Sequence, residues 1–548
     1  MKKFISTLVI MTAIAVQGWA CTNLIVGKNA SADGSVIVSY AADSYGMFGY
    51  LYHYPAATHE EGEYRDIYEW DTGKYLGKIK EAAQSYNVIG NTNQFQLTIT
   101  ETTFGGRREL RDPEGVMDYG SLIYVALQRS RNAKEAIKTM TDLVKEYGYY
   151  SGGESFSIAD PNEAWIMEMI GKGPGLKGAV WVAVRIPDDC ISGHANQSRI
   201  RQFDLNDKDN CVYASDVISF AREKGFFDGL NKDFSFADAY CPMRWGTVRG
   251  CDGRVWSYFN MFNPEVAAQY LPYIEGESKE AMPLYIKPNR KVSVRDIQHA
   301  MRDHYEGTPL DITSDPGAGP FNSPYRITPL SFSVDDVQYF NERPISTQQS
   351  GFVLVSQMRS WLPDPVGGVL WFGLDDANMT VFTPVYCNTD VVPVNYSKGV
   401  GDCVTFSWDS AFWIYNWVAD MIRPRYSMMI DDLRIVQNGL EDMFENSQPG
   451  IEAQALSMYE QDPQKAKDFL TSYTGMMAQA AVQSWKKLGE FLIVRYNDGV
   501  VKEVKDGKIV GPETGDAARV KRVGYPEDFL KMVVRETGDR YKSKEVDY

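Results

Sequence analysis

The chain lacks the motifs that mark several common enzyme classes. Its 548 residues include seven cysteines but no CxxC pair, and five histidines but no HExxH motif. Zinc sites normally need ligands at such spacings, so no metal site is expected. The sequence also contains no GxSxG segment, which argues against the serine nucleophile of α/β-hydrolases.

Positive charge and long apolar runs are scarce as well. There are 56 Lys and Arg against 72 Asp and Glu, for a formal net charge of −16 at pH 7. Nucleic acids and anionic membranes bind basic surfaces, so both are poor partners. After residue 20 no run of about 18 uncharged apolar residues occurs, so no stable membrane association is expected. The 44% hydrophobic content is ample for a large core.

The first 20 residues have the pattern of a signal peptide. Lys2 and Lys3 precede a largely apolar, uncharged run over residues 4–16, and Gly18-Trp19-Ala20 forms a small-x-small end. Removal of residues 1–20 on export predicts a periplasmic or extracellular protein. Its mature chain would begin at Cys21.

A cysteine at a mature amino terminus carries a nucleophile and a base on one residue. Its α-amine titrates near pH ~8 and can accept the thiol proton. Two alternatives stay open, a structural cysteine and the acylated cysteine of a lipid-anchored binding protein. Gly18 and Trp19 do not fit the Leu-small pattern of lipoprotein processing, and residues 22–27 are typical of a buried strand rather than a tether. The six other cysteines permit three disulfides in fifteen possible pairings.

The pattern of elements predicts an α+β fold. Two blocks of strands and grouped helices favour stacked sheets covered by helices over an alternating β/α order. Gly148 marks the end of one helix, whose apolar stripe is Ile137, Met140, Val144 and Tyr147. Residues 171–175 predict a hairpin turn and residues 307–320 a long loop. The predicted strands are 24–26, 35–40, 96–102, 164–170, 180–186, 351–356, 368–374 and 380–386, and the predicted helices are 120–130, 133–147 and several within 408–488.

Several segments together resemble the dipeptidase family of cysteine N-terminal nucleophile hydrolases. They extend from the mature start to about two thirds of the chain, and they are specific only as a set. The segments are CTNLIVGK from Cys21, ASADGS at 30–35, TNQFQL at 92–97, ETT at 101–103, ISGHANQ at 191–197, GTP and DPGAGP within 307–320, and SQMRSW at 356–361.

This resemblance implies an αββα sandwich of two antiparallel sheets between helical layers, with helical C-terminal additions, and the hydrolysis of dipeptides. Residues 21–498 would form the catalytic domain, and the charged residues 499–548 a peripheral segment. Superfamily relatives cleave conjugated bile acids and penicillin side chains, so an N-acyl amide hydrolase is the alternative. The expected partners are small peptide substrates, with no cofactor.

The resemblance also assigns roles to residues around Cys21. Asp43 would hold the α-amine, Asn196 and the backbone at Thr102 or Thr103 would bind the oxyanion, and Arg254 would be the active-site arginine, with Arg249 as its alternative. His194 is the candidate base if the amine is not.

One position departs from the family pattern. Many relatives carry an arginine three residues before the aspartate, where this chain has Tyr40. An arginine there would lower the thiol pKa. Either another cation takes its place or the substrate carries the charge.

Overall fold

The computed structural model describes residues 21–545 and confirms the α+β class. Two large sheets, both antiparallel, form its centre. The first sheet has seven strands in the order Tyr285–Ile286, Ile191–His194, Asn23–Val26, Val36–Asp43, Ser350–Met358, Val369–Leu374 and Thr383–Tyr386. The second has eight, in the order Cys211–Tyr213, Ala179–Ile186, Ala164–Gly171, Gly153–Ala159, Thr98–Gly105, Thr92–Asn93, Val88–Ile89 and His53–Tyr54.

The sheets lie against each other. Strand Val36–Asp43 of the first sheet contacts strands Thr98–Gly105 and Gly153–Ala159 of the second. Nearly every residue of these strands is buried. Side chains from distant parts of the chain therefore meet in the layer between the two sheets.

Every predicted strand is present within a few residues of its expected bounds, and the predicted turn at 171–175 joins two paired strands. Seven strands of the two large sheets were not among the predicted ones, and the two longest of these are Gly153–Ala159 and Ile191–His194. The first contains Glu154 and serines that interrupt the apolar pattern, although all seven residues are buried. The second contains Gly193, where a Cβ would lie 2.7 Å from the Asn23 carbonyl oxygen of the neighbouring strand. Glycine permits that close approach.

The predicted helical pair is also present, as Tyr119–Arg129 and Ala133–Tyr147, and it packs on the second sheet. Asn132 caps the second helix by accepting from the Glu135 backbone N–H. Ile137, Met140 and Val144 of the predicted stripe are buried, and Tyr147 at its end is half-buried. Gly148 ends the helix with φ of 81°, as the sequence predicts.

The C-terminal helices cover strands of the first sheet. They are Ala411–Ile422, Tyr426–Gln461 and Pro463–Tyr496, within the predicted helical region and beyond it to residue 496. Buried ion pairs fasten the second of them: Arg302 Nη2 to Glu441 Oε1 at 2.5 Å and Arg359 Nη2 to Glu452 Oε1 at 2.6 Å. Breaking a buried pair is costly, so these helices belong to the core structure.

The remaining elements are short. The other α-helices are Val217–Glu223, Phe236–Tyr240, Trp245–Thr247, Gly253–Phe262, Pro264–Gln269, Leu271–Glu275, Val294–Ala300, Asp364–Gly367 and Glu527–Thr537. The small two-stranded sheets pair Ala57–Thr58 with Gln84–Ser85, Tyr64–Tyr68 with Tyr75–Lys80, Ser331–Val334 with Val337–Phe340, Val501–Lys502 with Val520–Lys521, and Val504–Lys505 with Lys508–Ile509.

Three sequence expectations bear on the ends of the chain and on its cysteines. The predicted signal peptide lies outside the described residues. All seven cysteines are free in the structure, so none of the disulfides that the sequence permits is formed. Helix Glu527–Thr537 buries no residue, and within 21–545 no helix is both long and apolar enough to cross a membrane.

Candidate active site

Cys21 lies just before strand Asn23–Val26, between two antiparallel neighbours. The Thr22 backbone N–H donates to the Ala41 carbonyl at 3.3 Å, and the Ala41 N–H donates back at 3.0 Å. Because the pairing is antiparallel, Cys21 lies opposite Ala42 and next to Asp43. Its side chain is buried. The Cys21 thiol therefore lies in the interior of the protein, at the start of an inner strand that is hydrogen-bonded to its neighbour.

The Cys21 thiol has two polar side chains as neighbours. Its Sγ lies 3.8 Å from the Tyr40 hydroxyl oxygen and donates to Glu101 Oε1 at 3.5 Å. Burial raises the thiol pKa well above its ordinary value, and the Glu101 and Asp43 carboxylates raise it further. Hydrogen bonds from the Asp43 backbone and from Tyr40 oppose that rise. The thiol is therefore protonated at neutral pH until a base or a cation acts on it.

Asp43 is a buried carboxyl group held at both oxygens. Ser350 Oγ donates to Oδ1 at 2.6 Å, and Arg343 Nη2 donates to Oδ2 at 2.5 Å. Burial raises the pKa of Asp43, while the Arg343 guanidinium and the Ser350 hydroxyl lower it. These contacts fix the Asp43 carboxyl group in the neighbourhood of Cys21, as the expected role of Asp43 as the partner of the α-amine requires.

Arg254 links Cys21 to the neighbouring strand end. Its Nη1 donates to the Cys21 carbonyl at 2.7 Å and to Thr22 Oγ1 at 2.8 Å, and its Nη2 donates to Asn196 Oδ1 at 3.0 Å. It lies on helix Gly253–Phe262, directly after a π-helical turn at Val248–Asp252, a feature frequent at functional sites. Arg249 instead pairs with Glu342 at 2.5 Å. Of the two candidate arginines, Arg254 is therefore the one that contacts Cys21.

The predicted oxyanion residues meet at one place. Asn196 Nδ2 donates to the Thr103 carbonyl at 2.9 Å, while its Oδ1 accepts from Arg254. The Asn196 backbone has φ of 59°, a left-handed conformation that non-glycine residues seldom adopt. Such conformations concentrate at functional sites. Asn196, Thr103 and Arg254 thus form a connected group around Cys21.

His194 belongs to a separate buried network. Its Nδ1 is 2.7 Å from Thr102 Oγ1, and its Nε2 is 2.7 Å from Ser157 Oγ and accepts from Asn23 Nδ2 at 3.2 Å. Burial, with a smaller effect of Arg199, lowers the His194 pKa to about 3. A ring with that pKa takes up almost no proton at neutral pH. This argues against His194 as the base for Cys21.

Sequence reasoning missed two acidic side chains and one basic side chain of the site. Glu101 contacts the Cys21 thiol, Glu154 lies next to Glu101 in the adjoining strand, and Arg343 pairs with Asp43. The sequence signal for Glu101 is its position within a threonine-rich strand. A glutamate that is buried in such a strand is expected to have a partner, because unpaired glutamates are seldom buried. Arg343 lies in an irregular segment without any motif.

Comparison with known proteins assigns the chain to a family. Peptidase family C69 matches residues 20–69 and 48–439, which is more than half of the chain. A probable dipeptidase of Salmonella dublin is 29% identical over 405 residues, covering 70% of this chain and 85% of that protein. A probable dipeptidase of Latilactobacillus sakei is 27% identical over 432 residues, covering 74% and 82%.

Dipeptidase A of Lactobacillus helveticus is 25% identical over 454 residues, covering 78% of this chain and 85% of its own. The matched region contains every residue placed around Cys21 above. The chain therefore belongs to peptidase family C69, the family of cysteine dipeptidases with an N-terminal nucleophile that its sequence motifs resemble.

Proposed function

We propose that this protein is an exported cysteine dipeptidase whose mature N-terminal Cys21 is the nucleophile and whose own α-amine is the base. The observation that carries the proposal is the placement of Cys21, buried at the start of an inner strand beside the Asp43 carboxyl group. The two antiparallel sheets lie against each other, with the helical pair on the second sheet and the C-terminal helices on the first. This arrangement supports an N-terminal nucleophile sandwich. The signal-like residues 1–20 support a periplasmic or extracellular location.

The first half of the reaction forms a covalent intermediate. The α-amine, directly or through a water, accepts the thiol proton, and Sγ bonds to the carbonyl carbon of the substrate. The carbonyl oxygen takes the negative charge, which donors at Asn196 and at the backbone of Thr102 or Thr103 would stabilise. Return of the proton to the departing nitrogen breaks the amide bond. The second amino acid leaves, and the first remains as a thioester on Cys21.

The second half regenerates the enzyme. The same amine takes a proton from water, the resulting hydroxide attacks the thioester, and the first amino acid departs as the thiol recovers its proton. Asp43 would hold the amine in position, itself held by Arg343 and Ser350. Arg254 would keep the Cys21 carbonyl and the Asn196 amide in a fixed relation. This chemistry requires neither a metal nor an organic cofactor.

The proposal is tested by blocking the α-amine while keeping the thiol. One form begins at Cys21, and a second carries one uncleaved residue before it. An amide nitrogen cannot accept the proton, so the extended form is expected to lose about 10²–10⁴-fold in kcat/KM on a dipeptide. Intact-mass measurement verifies both amino termini and also reveals any lipid on Cys21.

His194→Ala provides the comparison for the other candidate base. It removes the Thr102 and Ser157 contacts and is expected to reduce stability more than the chemical step. Two results together would contradict the amine as base: activity of the extended form within a few-fold of the mature form, and a His194→Ala variant that is folded but inactive. They would indicate instead that His194 is the base for Cys21. Urea unfolding of each variant separates loss of fold from loss of chemistry.

A further inference from the structure

Two carboxyl groups lie together beside the Cys21 thiol. Strand pairing sets Thr103 opposite Glu154, so Glu101, two residues before Thr103, shares a face with Glu154. Glu101 Oε1 accepts from the Tyr40 hydroxyl at 2.8 Å and from the Cys21 thiol at 3.5 Å. Glu154 Oε1 accepts from Thr103 Oγ1 at 2.9 Å. The side chains are only 2% and 1% exposed.

The two carboxyl groups also contact each other. Neither Glu101 Oε2 nor Glu154 Oε2 accepts a hydrogen bond from any other group among the residues that the structure describes. Burial, the negative charge of Glu101 and a hydrogen bond to Glu101 raise the pKa of Glu154, so Glu154 keeps its proton and shares it with Glu101. Burial raises the pKa of Glu101, and the hydrogen bond from Glu154 opposes that rise. A positively charged donor that displaced the shared proton would therefore meet two buried carboxyl groups that lack other donors at these oxygens.

The position of the two carboxyl groups relative to the nucleophile indicates which group of the substrate they would bind. In a dipeptide the α-nitrogen lies about 2.5 Å from the carbonyl carbon that is attacked, since only Cα separates them. A nucleophile approaches that carbon to about 3–3.5 Å. A group that binds the α-ammonium must therefore lie close to the nucleophile itself. Glu101 contacts the Cys21 sulfur and meets this condition.

We propose that Glu101, supported by Glu154, binds the α-ammonium group of the dipeptide substrate and so selects substrates with a free amino terminus. The proposal rests on the function proposed above, in which Cys21 attacks the first carbonyl. An ammonium group offers three N–H donors and one positive charge, which suit two adjacent carboxyl groups once it replaces the proton that they share. An N-acyl amide has neither the charge nor the donors, and it would leave the carboxyl groups unpaired.

The same contact accounts for the missing arginine. Tyr40 occupies the position where relatives have a cation, and the carboxylate of Glu101 beside the thiol opposes thiolate formation. An ammonium group bound to Glu101 would offset that negative charge and lower the pKa of Cys21. The substrate would thereby supply the positive charge that the chain lacks at this position. Only a substrate with a free amine would favour its own hydrolysis in this way.

The test compares two substrates that differ in the amine alone. Alanyl-alanine and its des-amino analogue, propionyl-alanine, are hydrolysed by the same mature preparation, and the ratio of their kcat/KM values is taken. Because both rates come from one sample, the ratio does not depend on the folded fraction. We expect the wild type to prefer the dipeptide by about 10⁴–10⁵-fold, as for sites that hydrogen-bond a polar group of the substrate. Glu101→Gln should reduce the preference at least tenfold.

A matched control is available in the same sheet. Glu168 is a fully buried glutamate of strand Ala164–Gly171, and it accepts from Ser198 Oγ and from the Arg199 backbone. Glu168→Gln should keep the wild-type preference, whatever its effect on stability. Glu154→Gln gives a second measurement at the proposed site if Glu101→Gln does not fold, and it too should lower the preference.

The outcomes separate this inference from the function on which it rests. Equal losses on both substrates in Glu101→Gln, with the preference intact, would overturn the ammonium site and leave the dipeptidase standing. That result would make Glu101 a partner of the thiol instead. Faster hydrolysis of propionyl-alanine than of alanyl-alanine by the wild type would overturn the dipeptidase function itself, in favour of an acylase.

Discussion

Asp43→Asn is expected to destabilise the protein because it removes one partner of a buried ion pair. Arg343 Nη2 lies 2.5 Å from Asp43 Oδ2, and both side chains are buried. Removing one member of such a pair typically costs about 3–5 kcal/mol, because a charge remains without its counter-ion. Arg343 keeps hydrogen bonds to the backbone carbonyls of Pro344 and Ile345, and an asparagine can still accept from Ser350. We therefore expect a loss near the lower end, about 3 kcal/mol.

Urea unfolding of the mature protein at pH 7 measures this loss. Asp142→Asn is the matched control, because Asp142 pairs with Lys138 on an exposed helix face and should contribute less than about 0.5 kcal/mol. The double variant Asp43→Asn/Arg343→Met should regain part of the loss, since neither charge of the pair remains. A loss below about 1 kcal/mol in Asp43→Asn would refute the view that this pair stabilises the site.

Two further predictions concern the nucleophile and a helix start. Cys21→Ala should abolish hydrolysis while circular dichroism stays unchanged, and Cys21→Ser should retain at most a small fraction, because a hydroxyl ionises far less than a thiol; normal turnover by Cys21→Ala would contradict the role of Cys21. Asp296 completes the capping box of helix Val294–Ala300 by accepting from the Ser293 backbone, and it pairs with Arg290; these contacts outweigh burial and lower its pKa to about 2 against an ordinary 3.8. The unfolded chain therefore binds the proton first as pH falls, so Asp296→Asn should cost about 1 kcal/mol near pH 7 and almost nothing near pH 2 in denaturant titrations. An equal cost at both pH values would show that the carboxylate charge is not the cause.

Local patterns in the sequence predicted much of the fold. The apolar stripe of helix Ala133–Tyr147 and its end at Gly148 are local signals that the structure confirms, whereas the Asn132 cap was not predicted. Strand Gly153–Ala159 escaped because its polar residues find partners in other strands, Glu154 with Thr103 and Ser157 with His194. A polar side chain is buried where a distant residue can pair with it. The alternation of polar and apolar residues along one segment does not reveal such a partner.

The same limit applied to the site. Cys21 could be singled out as the candidate nucleophile because it directly follows a signal-like segment and precedes an apolar strand. The ion pair of Asp43 was not, because Arg343 lies 300 residues further along the chain. Glu101 stood within a recognised segment, but only its contact with the Cys21 sulfur distinguishes it from a surface residue. Long-range pairs leave no mark on local composition.

The strand order of the first sheet has a consequence for the folding of the protein. Strand Asn23–Val26 pairs on one side with Ile191–His194, and its other neighbour, Val36–Asp43, pairs in turn with Ser350–Met358. These contacts join residues far apart in sequence, and closing such long loops makes folding slow. Strand Asn23–Val26 is therefore synthesised well before strand Ile191–His194, its partner. Recovery of hydrolysis after denaturation should then lag behind the formation of the local helices, and the appearance of activity would report completion of the sheet.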